Sequence, residues 1–404
     1  MYICENVLQM LHINNATKIF IQQNINQDSY LLALKANANE NADIDFALEQ
    51  IHSRQHAKEK LNDWYSNFDL VFPPTLSVEQ CSSEIAAKYK ANLCKGKNFV
   101  DLTGGFGVDF AFIAPNFERS MYVELDKNLA EIAKHNFNVL NLKNIEIVNC
   151  NSCEFIENID SADCIYIDPS RRSVNNKKEI LLENCSPNIL EIKDILLQKS
   201  KTVLIKLSPV FEIAELLKKL DSIRQIHIVA VKNECKELLV VLESGCDNTD
   251  IEIVCANMAD SKSQIFSFRM NDEKKLDYDF VQNVQNYLYE PNVAIQKSGG
   301  FKSLVKKFNL KALNANSKIY TSNCYTGDFC GRIFAVENVF AFNKTEIKNN
   351  LKNIKKANVT VRNFPLSVAE LRKKLNIAEG GEIYFFATTL FDGKKVIVKC
   401  RKDI

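Results

Sequence analysis

The 404-residue sequence predicts an α/β fold, with a mostly parallel sheet, a helical region before it and a small basic α+β region after it. Three observations lead to this prediction. Short apolar strands alternate with helical stretches from Lys97 to about Met270, a glycine cluster follows the first strand, and basic residues concentrate beyond Pro291. With 46% hydrophobic and 25% charged residues, the chain is long and apolar enough to bury a large core.

The elements can be assigned in chain order. Residues 1–65 lack strand-like alternation and are predicted to form a helical N-terminal domain. Five candidate strands follow, namely NFVDL, SMYVEL, NIEIVN, DCIYIDP and TVLIKLSP. The stretch RQIHIVAVKNECKELLVVLES leaves almost no room for a crossover helix, so we expect an antiparallel hairpin at the sheet edge. Together these elements predict a seven-stranded sheet within residues 66–270.

The C-terminal part differs in composition. We expect a small α+β region over residues 271–320, for which a ferredoxin-like arrangement is one option, and a basic domain over 321–404. The stretch NKTEIKNNLKNIKKAN is predicted to be a basic amphipathic helix. Residues 291–404 hold 21 Lys and Arg against 8 Asp and Glu, a net charge of +13, whereas residues 1–290 hold 30 against 42, a net charge of −12. This division predicts nucleic acid as the partner of the C-terminal part.

Basic residues that are expected to contact phosphate lie in this C-terminal domain and just after the fourth strand. They are Arg172, Lys348, Lys352, Lys355, Lys356, Arg362, Arg372, Lys373 and Lys374. An isolated run of lysines is usually a solvated surface, but here the positive excess covers a whole domain, which favours a binding role.

The glycine cluster DLTGGFG, residues 101–107, raises the question of which ligand it binds. A phosphate-binding P-loop requires Gly-Lys-Ser or Gly-Lys-Thr, which the sequence lacks, and Phe110 occupies the place of the third glycine of a dinucleotide fingerprint. What remains is another kind of nucleotide-binding turn. In it Asp101 ends the first strand, and Glu124 ends the second, where a carboxylate can accept both ribose hydroxyls. Asp168 lies at the tip of the fourth strand, and ligands of open α/β sheets bind outside such strand ends.

This succession resembles the class I S-adenosylmethionine-dependent methyltransferases, whose fold is Rossmann-like, over roughly residues 66–270. The chain as a whole resembles bacterial methyltransferases with a C-terminal THUMP-like domain, through SVEQCSSEIAAKYKA, IDPSRR, KNECKELLV, RNFPLSVAELRKKL and FATTLFDGKKV. The resemblance implies S-adenosylmethionine as the cofactor, with contacts from Asp101, Thr103, Gly104, Gly105, Gly107, Glu124, Leu125, Asn151, Ser152 and Asp168. Asn stands at 151 where the family more commonly has Asp, and its side-chain carbonyl can still accept a hydrogen bond from the adenine amine. THUMP domains bind RNA, often tRNA, which agrees with the charge division.

The motif DPSR, residues 168–171, bears on the methyl acceptor. Base amino-methyltransferases usually have [DN]PP followed by an aromatic residue, which this motif lacks, although an Arg guanidinium can also stack on a base. RNA pyrimidine C5-methyltransferases need a nucleophilic cysteine, commonly after the fifth strand, where this chain has KLSP. We therefore expect a base nitrogen or a ribose oxygen of RNA as the acceptor, and the resemblance favours guanine N2. The candidate catalytic residues are Asp168, Pro169, Arg171 and Lys206.

Further expectations concern the setting of the protein. The N-terminus lacks the charged start of a signal peptide and no apolar run has membrane length, so we expect a cytoplasmic protein. Cys150 and Cys153 form the sole CxxC pair of the sequence, and without a second pair we predict no metal site. Two alternatives stay open: a methyltransferase that acts on a protein or a small molecule, and a non-catalytic RNA-binding module with this fold.

Overall fold

The computed structural model describes residues 13–35, 41–171, 181–259, 262–352 and 354–402. Two compact units make up the chain. The first comprises Met1–Arg224 with Leu238–Asn248, and the second comprises Gln225–Glu237 with Thr249–Ile404. The hairpin predicted from RQIHIVAVKNECKELLVVLES is therefore divided between the units.

The first unit opens with helices, as predicted for the N-terminal region. Asn14 accepts a hydrogen bond from the N–H of Thr17, and Asp43 accepts one from the N–H of Phe46, so side-chain caps start two of these helices. Apolar side chains of the helices are buried together, which stabilises the group. In the described part of this unit the helices are Asn15–Asn24, Ser29–Lys35, Ile44–Ala57, Asn62–Ser66, Thr75–Gln80, Glu84–Ala91, Val108–Ile113, Lys127–Val139, Ser152–Asn158, Ile189–Lys199 and Ile213–Lys219, with short 3-10 helices at Ala114–Asn116 and Leu182–Asn184.

The α/β sheet follows these helices. Its region contains, in chain order, β1 (Asn98–Asp101), β2 (Arg119–Glu124), β3 (Ile145–Asn149), β4 (Ala162–Ile167), β5 (Ser170–Arg171), β6 (Cys185–Ser186), β7 (Ser200–Leu207), β8 (Ile223–Val231), β9 (Glu234–Glu243), β10 (Glu252–Met258) and β11 (Gln264–Arg269). β5 and β6 form a separate antiparallel pair, and the other strands are ordered β11-β10-β8-β9-β7-β4-β1-β2-β3. β1, β2, β3, β4 and β7 are parallel, which confirms the five predicted strands, and β9 runs antiparallel to β7.

Two features of this sheet differ from the sequence prediction. It has nine strands rather than seven, and the β8–β9 hairpin lies inside the sheet rather than at its edge. The reason is that β10 pairs in parallel with β8, and β11 pairs antiparallel with β10. The middle of β10, from Ile253 to Ala256, is an apolar run whose consecutive side chains are all buried, as is typical of a strand that is covered on both faces of the sheet.

The second unit contains a seven-stranded sheet, ordered β13-β14-β12-β15-β18-β17-β16. Its strands are β12 (Tyr287–Pro291), β13 (Lys311–Ala312), β14 (Tyr320–Ser322), β15 (Gly331–Ala341), β16 (Asn358–Arg362), β17 (Ile383–Thr389) and β18 (Lys395–Lys402). All neighbours are antiparallel except β16 and β17. The helices of the unit are Met270–Lys275, Val293–Ser298, Phe301–Lys307, Lys344–Asn350 and Val368–Leu375. This arrangement confirms the α+β region predicted after the α/β sheet.

The basic helix predicted over NKTEIKNNLKNIKKAN is shorter than expected. It ends at Asn350, so Lys352, Lys355 and Lys356 lie outside it. Asparagine is a poor helix former, and the backbone that follows pairs elsewhere, because Ala378 donates to the Lys355 carbonyl at 2.9 Å. Lys352 therefore lies in a turn after the helix, and Lys355 and Lys356 lie in a non-helical segment where Lys356 forms a bridge with Ala378.

Candidate cofactor site and basic surface

Four predicted site residues lie at the carboxyl ends of the parallel strands in the first unit, which we call the sheet edge from here on. Asp101 ends β1, Glu124 ends β2, Asp168 follows β4, and Lys206 is the penultimate residue of β7. β1 lies between β2 and β4, and β7 is the next neighbour of β4. Since parallel strands present their carboxyl ends at the same edge, these four residues occupy adjacent positions there.

The turn after β1 is tight, and its glycines stand where side chains do not fit. A Cβ atom on Gly104 would lie 2.2 Å from the ring of Tyr122. Gly105 and Gly107 have φ values of +59° and +82°, which glycine adopts without steric cost. A Cβ atom on Gly105 would meet only the carbonyl oxygen of Thr103, at 3.8 Å. The backbone at Gly105 therefore borders open space that a ligand can enter.

The end of β2 offers groups that suit a nucleoside. The two oxygens of Glu124 accept the N–H groups of Gly105 and Asp126, each at 2.7 Å. The side-chain amide of Asn149 donates to the carbonyls of Glu124 and Leu125, at 2.8 and 3.0 Å, and so fixes this segment. Leu125 is 69% exposed and provides an apolar surface beside the carboxylate. Each carboxylate oxygen has a second lone pair for a ribose hydroxyl.

Asn151 and Ser152 lie at the start of helix Ser152–Asn158. The Oδ1 atom of Asn151 accepts the N–H of Cys153 at 2.8 Å and caps the helix. The carbonyl that we expected to meet the adenine amine thus caps the helix, and its second lone pair remains for that amine. The amide N–H groups of Asn151 are further donors, which suit a ring nitrogen.

Asp168 is held from two sides. Its N–H donates to the hydroxyl of Thr103 at 2.6 Å, which joins the end of β4 to the turn after β1. Its carboxylate accepts a hydrogen bond from the ammonium of Lys206 and forms an ion pair with it. The side chain of Lys206 is 12% exposed and that of Asp168 is 36% exposed, so the carboxylate is the more solvent-accessible partner of the pair. A charge-assisted bond of this kind fixes the orientation of the carboxylate.

The DPSR motif continues from Asp168 into the short strand β5. Pro169 is buried, and the hydroxyl of Ser170 donates to the Ser186 carbonyl at 3.2 Å. The backbone of Arg171 is fixed by pairing with β6. Arg172 lies outside the described residues.

A buried network next to the glycine turn escaped the sequence prediction. Asp109 accepts hydrogen bonds from the hydroxyls of Ser82 and Tyr166, each at 2.7 Å. The ammonium of Lys90 lies 3.1 Å from the other oxygen of Asp109 and donates to Ser82 at 2.9 Å. Burial by itself would raise the pKa of Asp109, but Lys90 and Lys206 outweigh it, so the pKa is lowered. The available signal was an acidic residue inside the apolar stretch VDFAFI.

Lys60 and Cys81 adjoin this network. The ammonium of Lys60 donates to the carbonyls of Val78 and Glu79, at 3.1 and 2.7 Å. Burial lowers the pKa of Lys60, and burial raises the pKa of Cys81 to about 11. Since the thiolate is the nucleophilic form of cysteine, this raised pKa disfavours Cys81 as a covalent catalyst.

Phe106, inside the glycine turn, is buried against the N-terminal helical region. Its ring packs edge-on against Trp64 and at a tilt against Phe72, with ring centres 5.0 and 5.3 Å away. Phe72 is fixed in turn, because its N–H and carbonyl each form a 2.8 Å hydrogen bond with the side chain of Gln50. The N-terminal region therefore supports the turn from behind.

Asp101 is the deeply buried carboxylate of this edge, with 1% of its surface exposed. Its Oδ1 atom accepts the N–H of Thr103 at 2.9 Å. Burial raises the pKa of Asp101 well above its usual range, and the charges of Asp109, Asp168 and Glu124 act in the same direction.

In the second unit, the predicted phosphate contacts fall into two groups. Members of the first group have partners within the protein. Arg362 donates to Glu290 at 2.9 Å, and Arg332 also pairs with this buried carboxylate. Arg372 donates to Glu379 at 2.9 Å. Lys374 belongs to the same group, since its ammonium lies 4.7 Å from the centre of an aromatic ring.

The second group consists of exposed lysines for which the described part of the chain offers no ion-pair partner. They are Lys348, Lys352, Lys355, Lys356 and Lys373. Exposed and unpaired lysines remain available to phosphate groups. The basic surface, as we call these five residues, is thus smaller than the sequence prediction.

These features define a class of protein. A Rossmann-like sheet, a glycine turn open at Gly105, a carboxylate with spare acceptors at Glu124 and an apolar neighbour at Leu125 fit S-adenosylmethionine, a nucleoside that carries a positive charge. The acidic residues of the edge suit that charge. The chain is a class I S-adenosylmethionine-dependent methyltransferase.

Comparison with known proteins gives the family. A crystal structure of a protein assigned as a methyltransferase, from Porphyromonas gingivalis W83, superposes with a TM-score of 0.87 and 31% identity, over 96% of this chain and 98% of that chain. The THUMP domain-like family matches residues 331–402, and a ferredoxin-like domain family matches residues 287–329. The chain belongs to the family of methyltransferases with a C-terminal THUMP-like domain.

Two further solved structures share only part of the fold. A protein from Streptococcus mutans, assigned as a methyltransferase and crystallised with SAH, covers 40% of this chain and 96% of its own, at 14% identity and a TM-score of 0.30. An rRNA methylase from Streptococcus thermophilus covers 41% of this chain and 98% of its own, at 15% identity and a TM-score of 0.30. Similarity this low carries no argument about the substrate. No curated protein matches the chain.

Neither a membrane-spanning helix nor a metal-binding cluster occurs in the described ranges. There, none of the helices has the length and apolar character that crossing a bilayer requires. Nor do these residues contain a group of three or more His, Cys, Asp or Glu placed to hold a metal ion.

Proposed function

We propose that the protein is a cytoplasmic enzyme that transfers the methyl group of S-adenosylmethionine to a base nitrogen of RNA, with guanine N2 as the preferred atom. The observation that carries this proposal is the position of Asp168. Its N–H is hydrogen-bonded to Thr103 of the glycine turn, and its carboxylate is exposed to solvent at the sheet edge. A carboxylate there can accept a proton from an exocyclic amine.

The residues of the sheet edge divide the work of the reaction. S-adenosylmethionine supplies an electrophilic methyl group when bound, and methyl transfer is an in-line displacement that depends mainly on positioning. Asp168 accepts a hydrogen bond from the acceptor amine and takes the proton that the nitrogen loses, directly or through water. Lys206 holds the carboxylate in place, and Pro169 limits the freedom of the backbone. Arg171 stacks on the base or contacts a phosphate.

We also propose how the other residues hold the cofactor. Glu124 accepts the ribose hydroxyls, and Leu125 packs against the adenine ring. Asn151 donates to a ring nitrogen from the start of its helix, beside Ser152. The turn formed by Asp101, Thr103, Gly104, Gly105 and Gly107 surrounds the amino-acid end, where the backbone is open to a ligand.

The basic surface of the second unit supports RNA as the acceptor. Exposed lysines attract phosphate without reading sequence, which suits a domain that positions a substrate. Arg172 is proposed as a further phosphate contact. Arg362, Arg372 and Lys374 can join only after they exchange their present partners. We keep the division into domains of residues 1–65, 66–270, 271–320 and 321–404 as part of this proposal.

The proposal is tested with methyl-tritiated S-adenosylmethionine and total RNA from cells that lack the gene. We expect label in an RNA fraction, and N2-methylguanosine among the nucleosides after digestion. Wild-type RNA, already methylated, serves as the control and should take up much less label. Cofactor binding without label in RNA would reject the RNA acceptor in favour of a protein, a small molecule or a non-catalytic role.

A further inference from the structure

The carboxylates at the sheet edge differ in the partners that balance their charge. Asp109 faces Lys90, and Asp168 faces Lys206. Asp101 is more buried than Asp168, yet among the described residues no Lys or Arg lies within ion-pair distance of it. Within the same described residues, the N–H of Thr103 is the one hydrogen-bond donor to its side chain.

The three charges that act most strongly on Asp101 are negative, and they come from three different elements. β2 contributes Glu124 and the hydroxyl of Tyr122, which donates to the Gly105 carbonyl at 2.6 Å. β4 contributes Asp168, whose charge Lys206 partly balances. The helix after the glycine turn contributes Asp109, and Tyr166 and Lys90 bind that residue rather than Asp101. An ionised Asp101 would therefore be a buried charge without a counterion.

The cofactor of the proposed function would change this balance. S-adenosylmethionine has a zwitterionic amino-acid end and a sulfonium, so its net charge is +1, whereas its product S-adenosylhomocysteine has no sulfonium and no net charge. A cation placed beside a buried carboxyl favours loss of the carboxyl proton. Any group whose protonation changes on binding makes the affinity depend on pH, by about tenfold per pH unit at the limit of one proton.

We propose that Asp101 carries a proton in the unliganded protein and releases it when S-adenosylmethionine binds, so that cofactor affinity rises with pH and exceeds the affinity for the uncharged product. This inference rests on the proposed function, because it requires the cofactor to bind at this edge. In this proposal Asp101, the last residue of β1, exchanges a proton in addition to forming the start of the glycine turn. The difference in charge between the two ligands then favours replacement of the bound product by new cofactor.

The test is isothermal titration calorimetry of S-adenosylmethionine in two buffers with different enthalpies of ionisation, between about pH 5 and pH 7, where an α-amino group keeps its proton. The difference in heat gives the number of protons released. We expect wild-type protein to release up to one proton per cofactor, Asp101→Asn to release clearly fewer, and S-adenosylhomocysteine to release fewer than the cofactor. Glu118→Gln, which neutralises an exposed carboxylate paired with Lys97, is the matched control and should behave like wild type.

The outcomes separate the two proposals. If wild-type protein binds S-adenosylmethionine without proton release, the role of Asp101 is rejected and the proposed cofactor stands. If it does not bind at all, the proposed function fails and the inference fails with it. Equal release by both ligands would overturn the assignment to the sulfonium charge. Should Asp101→Asn not fold, the infrared absorption of a protonated carboxyl group in wild-type protein must disappear when the cofactor is added, and its persistence rejects the proposal.

Discussion

Charged side chains are used differently at the sheet edge of the first unit and on the basic surface of the second. At the edge, Lys90 is fully buried, the side chain of Asp109 is 11% exposed, and both are bound to defined partners. On the basic surface, Lys348 and Lys355 are exposed, and no described residue pairs with them. A buried charge is costly unless it is paired, so buried charged side chains hold defined partners and set the protonation of their neighbours. An exposed charge instead attracts opposite charges over a distance that decreases as the salt concentration rises. Net charge from a sequence measures only the second effect.

The largest effect should come from Asp168, whose carboxylate at the sheet edge is exposed to solvent. We expect Asp168→Ala to slow methyl transfer about a thousandfold, because the proton acceptor is removed, while cofactor affinity changes little. Single-turnover transfer and cofactor titration measure the two quantities. Asp160→Ala, at an exposed aspartate just before β4, is the control and should keep wild-type rates. Activity retained in Asp168→Ala would remove this residue from the chemistry.

His227 extends the comparison to a buried titratable group in the second unit. Burial lowers its pKa to about 4, from an ordinary value of 6.5, and the charge of Glu252 opposes this only in part. Between these two values the unfolded chain binds the proton and the folded chain does not. Stability therefore falls as the pH drops from about 6.5 towards 4, by roughly 3 kcal/mol for this group.

Urea unfolding at several pH values tests this expectation. His227→Gln should flatten the acid slope of the unfolding free energy relative to wild type, whereas His56→Gln, at an exposed histidine, should leave the slope as it is. If the slope of His227→Gln equals that of wild type, burial does not keep His227 neutral, and the contrast between buried and exposed charge weakens.

The smallest effect should come from the exposed charges. Lys355→Gln with Lys356→Gln should weaken RNA binding several-fold and lower the slope of log K against log salt by about 0.7–0.9 for each phosphate that the protein no longer neutralises. The matched control removes two positive charges that already pair with Glu337, at Lys399 and Arg401. Filter binding at several salt concentrations compares the two. Equal weakening by both double variants would mean that net charge alone, rather than availability, decides RNA affinity.

The sequence predicted the sheet edge well because its signals are local. Asp101, Glu124 and Asp168 each end or follow an apolar strand, and a parallel sheet gathers strand ends at one edge. The partners of Asp109 could not be found in this way. Ser82 and Lys90 precede it by 27 and 19 residues, and a contact across such a distance leaves no pattern in the intervening sequence.

The same reason explains the errors in the second unit. The helix over NKTEIKNNLKNIKKAN has the expected apolar spacing, but Lys356 pairs with Ala378 as an extended bridge, and tertiary pairing overrides the local preference. Arg362 counts as a basic residue in the sequence, whereas in the fold it binds Glu290, 72 residues away. The number of positive charges was predictable, and their availability depended on interactions that only the folded chain brings together.

The packing of Phe106 has a consequence for truncated versions of the enzyme. A fragment that begins at residue 66, where the sequence alone would cut, lacks Trp64 and the Gln50 side chain that fixes Phe72. The ring of Phe106 would then lose its contact with Trp64, and Phe72, which also packs against that ring, would lose the side chain that holds its backbone. The shortest fragment with an intact glycine turn must retain helix Ile44–Ala57, which carries Gln50. The N-terminal region is therefore a component of the catalytic core and not a separate domain that can be exchanged.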